Sequence, residues 1–115
     1  MAYDEILAAR LRDAIGKKTN VAEKRMMGGV CIMIDGNMLG GADRRKDGSG
    51  RFMFRVGKDN EAEALSRPGA IPLEHGGKRM GGMVLVDEAA CDGEALKNWV
   101  KLALSFVGSL PPKTK

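Results

Sequence analysis

Val30-Cys31-Ile32-Met33-Ile34, followed at once by Asp35-Gly36 and then Asn37-Met38-Leu39-Gly40-Gly41, sets the fold class. The first five residues are continuously apolar and β-branched at three positions, which is how a central strand reads. Asp-Gly after such a run is the strongest short hairpin signal, because both residues tolerate the positive φ that a tight two-residue reversal requires. Residues 37–41 are therefore predicted to return antiparallel to the strand before them. Upstream, residues 21–34 read as extended, interrupted at Gly28-Gly29 by a bulge or sharp bend. Downstream, Asp43 to Gly50 is a polar, glycine-ended loop, and beyond it Phe52, Phe54 and Val56 alternate with Arg51, Met53 and Arg55. That period of two predicts a half-buried strand with its arginines on the outer face.

Helices flank this sheet. Leu7, Leu11 and Ile15 recur at helical spacing over residues 3–15, with Ile6 and Ala14 widening the stripe. Asp4 and Glu5 at its start, Lys17 and Lys18 past its end, and Gly16 as a stop complement a helix dipole and its C-terminus. Asp59 or Asn60 is positioned to cap a short helix running to about Ser66, which Arg67-Pro68-Gly69 stops. Ala70 to Leu73 reads as a brief strand that Pro72 confines to an edge. His75-Gly76-Gly77-Lys78 reads as a turn, and Met80 to Val86 as the next strand. Asp92 caps a long helix to about Val107, with Leu96, Trp99, Val100, Ala103, Phe106, Val107 and Leu110 on its apolar stripe. The order is α-β-β-β-α-β-β-α without a βαβ rhythm. This predicts an α+β fold: two layers, a mainly antiparallel curved sheet with helices packed on it.

The 115 residues fit one domain, expected over 1–112 with a frayed tail at 113–115. A hydrophobic fraction of 43% and a charged fraction of 30% exclude global disorder. Aromatics at 4% are too few for a base-stacking platform. The start has no charged n-region followed by an apolar h-region, and the longest apolar run is too short for a bilayer. Two cysteines sixty residues apart, Cys31 and Cys91, with His75 as the only histidine, form no metal-ligand spacing and read as buried free thiols suited to a reducing cytoplasm.

The residues name no catalytic site, cofactor or metal. The glycine pairs are followed by strands rather than by the helix N-terminus that a phosphate cradle needs. Cys31 with His75 is the one nucleophile–base pairing to weigh, but Cys31 lies in a strand that reads as buried and no third group orients the pair. The acids sit at helix starts and turns, where capping accounts for them. Eight methionines are many for this length. They suit core filling first and an adaptable partner surface second. The net charge of +4 gathers in basic pairs. Arg44, Arg45, Lys46, Arg51 and Arg55 on the 44–55 hairpin, with Lys78 and Arg79, are the candidate contacts for a partner or for nucleic-acid phosphates.

Three blocks together resemble a known family. They are Lys24-Arg25-Met26-Met27-Gly28-Gly29-Val30 running into Asp35-Gly36-Asn37-Met38; Arg67-Pro68-Gly69-Ala70 with Gly77-Lys78-Arg79-Met80-Gly81-Gly82-Met83-Val84; and Trp99-Val100 through Ala103-Leu104-Ser105-Phe106 to Ser109-Leu110-Pro111-Pro112-Lys113. The chain looks like a stand-alone N-terminal domain of the TfoX/Sxy family of bacterial competence regulators, with Met27 where the family's motif carries an aromatic. The resemblance implies a two-layer α+β fold of the order read above and a role in transcriptional regulation. It offers no catalytic residues to transfer. Full-length members of the family add a C-terminal helical domain of the helix-hairpin-helix kind, which this sequence does not contain, so direct DNA binding is not implied. The expectations are a non-enzymatic regulatory or protein-interaction domain in the cytoplasm, with another protein as partner and the chain as monomer or homodimer. Weak nucleic-acid binding through the 44–55 hairpin is the alternative, and an enzyme around Cys31 and His75 a more distant one.

Overall fold

A computed structural model describes residues 5–16, 20–26, 29–45 and 47–112. The elements run α1 (Glu5–Ile15), β1 (Val21–Met26), β2 (Gly29–Ile34), β3 (Asn37–Arg44), β4 (Gly50–Arg55), α2 (Glu61–Ser66), β5 (Ala70–His75), β6 (Lys78–Asp87) and α3 (Gly93–Val107), with 3-10 turns before α2 and after β6. The strands form one open sheet in the order β1-β2-β3-β4-β6-β5, antiparallel at every pairing. The α+β class and the antiparallel sheet agree with the sequence reading. The extended stretch 21–34 forms two strands: Met26 pairs with Gly29, so the chain reverses between them rather than continuing through a bulge. Asp4, Lys17, Lys18, Lys46 and residues 113–115, to which the sequence assigned helix ends, a basic contact and a tail, lie outside the described residues.

The two hairpins with the clearest turn chemistry fold as their residues require. Ile34 pairs with Asn37 across Asp35 and Gly36, whose φ angles of 50° and 79° are both in the left-handed region. His75 pairs with Lys78 across Gly76 and Gly77 in the same manner. In β6, Gly82 has φ 79°, and its carbonyl accepts from the N–H groups of both Val56 and Gly57. A Cβ at Gly82 would lie 3.0 Å from the Gly57 carbonyl carbon, so the close approach of β6 to the end of β4 requires glycine.

Local signals also set the helix ends. The Asp92 carboxylate accepts from the Ala95 N–H at 3.0 Å and caps α3. Asn60 stands at the N-cap position of α2 but makes no capping bond: its Nδ2 donates to the Val56 carbonyl at 3.0 Å instead. The turn that precedes α2 takes this side chain away from the helix start. Gly16, with φ 83°, donates to the Arg12 carbonyl and ends α1.

The core lies on one face of the sheet. Val30, Ile32 and Ile34 of β2, Phe52 and Phe54 of β4, and Val84 and Val86 of β6 pack with Leu7 and Leu11 of α1 and Leu96, Trp99, Val100 and Val107 of α3. Register shifts after Ile32, where β3 carries one extra residue. Leu39 thereby enters this core, while Met38 faces the other side with Met33.

An aromatic column runs through the core. Phe52 and Phe54 lie with ring centroids 6.2 Å apart, and Phe54 stacks on Trp99 at 5.4 Å with 8° between the planes. Arginines close both ends: Arg10 lies 5.4 Å from the Phe52 centroid and Arg67 lies 4.8 Å from that of Trp99. Truncating Phe54 to alanine is expected to lower stability by about 3–5 kcal/mol, and Asp92→Ala by about 1 kcal/mol, measured as shifts in denaturant midpoint. Arg67→Ala should cost about 0.5–2 kcal/mol and also change the emission of Trp99, the only tryptophan.

Candidate functional site

Of the seven basic candidates Lys46 lies outside the described residues, and the other six do not form a common patch of free charge. Arg44 pairs with Glu88 at 3.1 Å and also donates to the Gly48 carbonyl. Arg45 reaches Asp87 at 3.4 Å and the Ser49 hydroxyl at 2.9 Å. Arg51 and Asp43, directly opposite on β4 and β3, form a two-bond pair at 2.8 and 3.2 Å. This contact holds the Arg51 guanidinium above its ordinary pKa. Arg55 shares the outer face of β4 with Arg51, as the alternation predicts, but its guanidinium lies over the Phe106 ring at 5.5 Å. Arg79 pairs with Glu61 at 2.8 Å, and Lys78 stands exposed beside the β5–β6 turn. Four of the candidate arginines thus meet carboxylates, which opposes the excess positive potential that phosphate binding needs. A linear sequence could not show this, because Glu61, Asp87 and Glu88 lie 18 to 44 residues from the arginines they meet.

The Glu61 carboxylate accepts from Arg79 and from the Gly82 N–H, and together they hold its carboxyl below the usual range. A depressed carboxyl contributes stability at neutral pH that is lost as the pH falls through and below its unfolded value of 4.5. Glu61→Gln should therefore lower the denaturant midpoint at pH 7, and the gap from the parent should close in acid.

Cys31 and Cys91 are both free and buried, as the sequence suggested. Burial pushes the Cys31 thiol up and that of Cys91 up to about 12, so neither supplies a thiolate at neutral pH. His75 ends β5, whereas Cys31 sits mid-strand in β2, with three strands between them in the sheet. Among the described residues, no three His, Cys, Asp or Glu side chains gather as metal ligands would. No helix of the described residues is long and apolar enough to cross a membrane.

The feature that the sequence did not reveal is the second face of the sheet, which no helix of the described residues covers. Strand pairing lines up Cys31, Gly41, Met53, Leu85 and Ile71 across β2, β3, β4, β6 and β5, with Met33, Met38 and Met83 beside them. None of the methionines Met33, Met38, Met53, Met80 and Met83 joins the helix-side core, so the expectation that methionine fills the core is corrected. Alternation placed Met53 outward. The bulge that turns Met38 the same way left no signal in composition. Ile71 and Met80 are exposed, at 54% and 42%. Two other hollows are shallower in chemistry: one of about 590 Å³ between Arg67 and α3, and a polar one of about 660 Å³ where Gly57 and Gly82 meet Phe106. In the folded protein, thiol reagents should modify both cysteines slowly, and denaturant should release two fast-reacting thiols. A fast thiol at neutral pH without denaturant would contradict the burial of Cys31.

No curated protein and no solved structure matches the chain significantly. The TfoX N-terminal domain family model matches residues 13–107, from the second half of α1 to the last residue of α3. The matched span holds all six strands, both hairpins with left-handed turns and the aromatic column from Phe52 to Trp99, so the chain belongs to the TfoX N-terminal domain family.

Proposed function

We propose that this chain is a non-enzymatic regulatory domain that binds another protein through the helix-free face of its sheet, in the transcription-linked regulation of a bacterial cytoplasm. Family membership supports a regulatory or interaction role. The observation that carries the surface is the apolar, methionine-rich row on the uncovered face, where Ile71 and Met80 stand out to solvent beside it. Exposed apolar groups gathered on one face mark interaction sites, and flexible thioether side chains adapt to a partner's shape. The partner that fits presents a mainly apolar surface, because the charged groups bordering the row, Asp43 and Arg51, already satisfy each other. The raised thiol pKa values support the non-enzymatic part of the reading.

The test compares proteins captured from bacterial extract by the parent chain and by Ile71→Asp and Met80→Lys variants. A partner held by the parent and released at least tenfold by each variant is the expected result. Equal capture by all three would remove this face from the function. In parallel, duplex DNA titrated at low and physiological salt should give no saturable binding. Affinity that falls steeply with salt and is lost in Arg44→Ala/Arg45→Ala would install the nucleic-acid reading instead.

A further inference from the structure

The helix-free face is hollow rather than flat. Gly41 lies between Cys31 on β2 and Met53 on β4, and its missing side chain opens a gap in the row. Strand β3 cannot close that gap with a side chain, since a Cβ at Gly41 would fall 2.3 Å from the Val30 carbonyl oxygen. Met38, Leu73, Met83 and Leu85 wall the gap into a recess of about 340 Å³. Small-molecule sites begin at about this size. Cys31 is only 5% exposed and Leu85 9%, although no helix of the described residues lies over them. The floor is therefore reached only from inside the recess, and a protein surface resting on the rim would not touch it.

The chemistry of the walls defines the guest. Arg51 and Asp43 bring the charged groups to the recess, and they are joined by two hydrogen bonds. Among the described residues no buried side-chain nitrogen or oxygen lacks a hydrogen-bond partner. Asp43 and Arg51 are the only charged ones among the described residues lining the recess and neutralise each other, so an ionic ligand would meet no uncompensated charge and would lose its hydration on entry. The lining is alkyl and thioether, and thioether sulfur makes favourable contacts with the edges of aromatic rings. We propose that this recess binds a small, uncharged aromatic molecule. The site shares its face with the protein-docking surface proposed above but does not require it: docking rests on the exposed Ile71 and Met80, of which Ile71 does not line the recess, and ligand binding rests on the floor.

The experiment uses the full chain carrying 13C-labelled methionine methyl groups, titrated with indole as an uncharged probe and with indole-3-acetate and tryptamine as its charged relatives. Saturable shifts at Met38, Met53 and Met83 are expected with indole, at a Kd of about a millimolar or tighter for a fragment of this size. The charged relatives should bind at least tenfold more weakly. Met53→Phe, which fills the recess, should abolish the indole response while keeping the circular dichroism and Trp99 emission of the parent. Should that variant not fold, Leu73→Trp at the wall serves the same purpose. Ile71→Asp should keep the indole response, so that loss of docking and loss of the ligand are read separately. Absence of saturable shifts, equal binding of the charged probes, or an indole response that survives filling of the recess would each overturn the proposal.

Discussion

The aromatic column capped by two arginines is the contact on which the rest of the structure depends. Phe52 and Phe54 belong to β4, Trp99 to α3, Arg10 to α1, and Arg67 to the segment that follows α2. One stack thus fixes the sheet against elements from both ends of the chain. The chain has three phenylalanines and one tryptophan, so most of its large rings are committed here. The arginines serve a second purpose. Each places its guanidinium over a ring while the residue stays partly exposed, so the column ends in groups that water can solvate. Arg10 also donates to the Cys91 carbonyl, tying α1 to the approach of α3.

Because that core is complete on one side, the sheet has two faces of different composition. The helix side is built from β-branched, leucine and aromatic residues that hold defined rotamers. The other side carries thioethers, a thiol and a paired aspartate and arginine. The bulge after Ile32 sharpens the division by sending Leu39 to one face and Met38 to the other. The aromatic column and the helices pack on one side only, and the other side leaves Ile71 and Met80 exposed.

Much of this was legible in the residues. Asp35-Gly36 and Gly76-Gly77 specified hairpins because left-handed backbone is costly for most other residues, and Asp92 specified a helix start because a carboxylate at that position can accept from the first turn. The alternation over Arg51 to Val56 specified which side chains enter the core. The reversal between Met26 and Gly29 was not legible, since glycines within an extended run fit a bulge, a bend or a turn equally well. Nor was the ion pairing of the arginines, which depends on carboxylates brought together by tertiary packing. The recess escaped sequence reading for a further reason: it is made by an absent side chain at Gly41 and by lining residues from strands far apart in sequence.

The gathering of Met33, Met38, Met53, Met80 and Met83 away from the helix-side core gives the two layers unequal chemical durability. Oxidation of a methionine to its sulfoxide turns a flexible apolar group into a polar one. None of Met33, Met38, Met53, Met80 and Met83 takes part in the helix-side core, and Met80 is the most exposed of them. Peroxide would therefore wet and polarise the open face while the aromatic column stayed packed. The molecule would lose the apolar character of that face before it lost its shape, and a reductase acting on sulfoxides could restore it without any refolding.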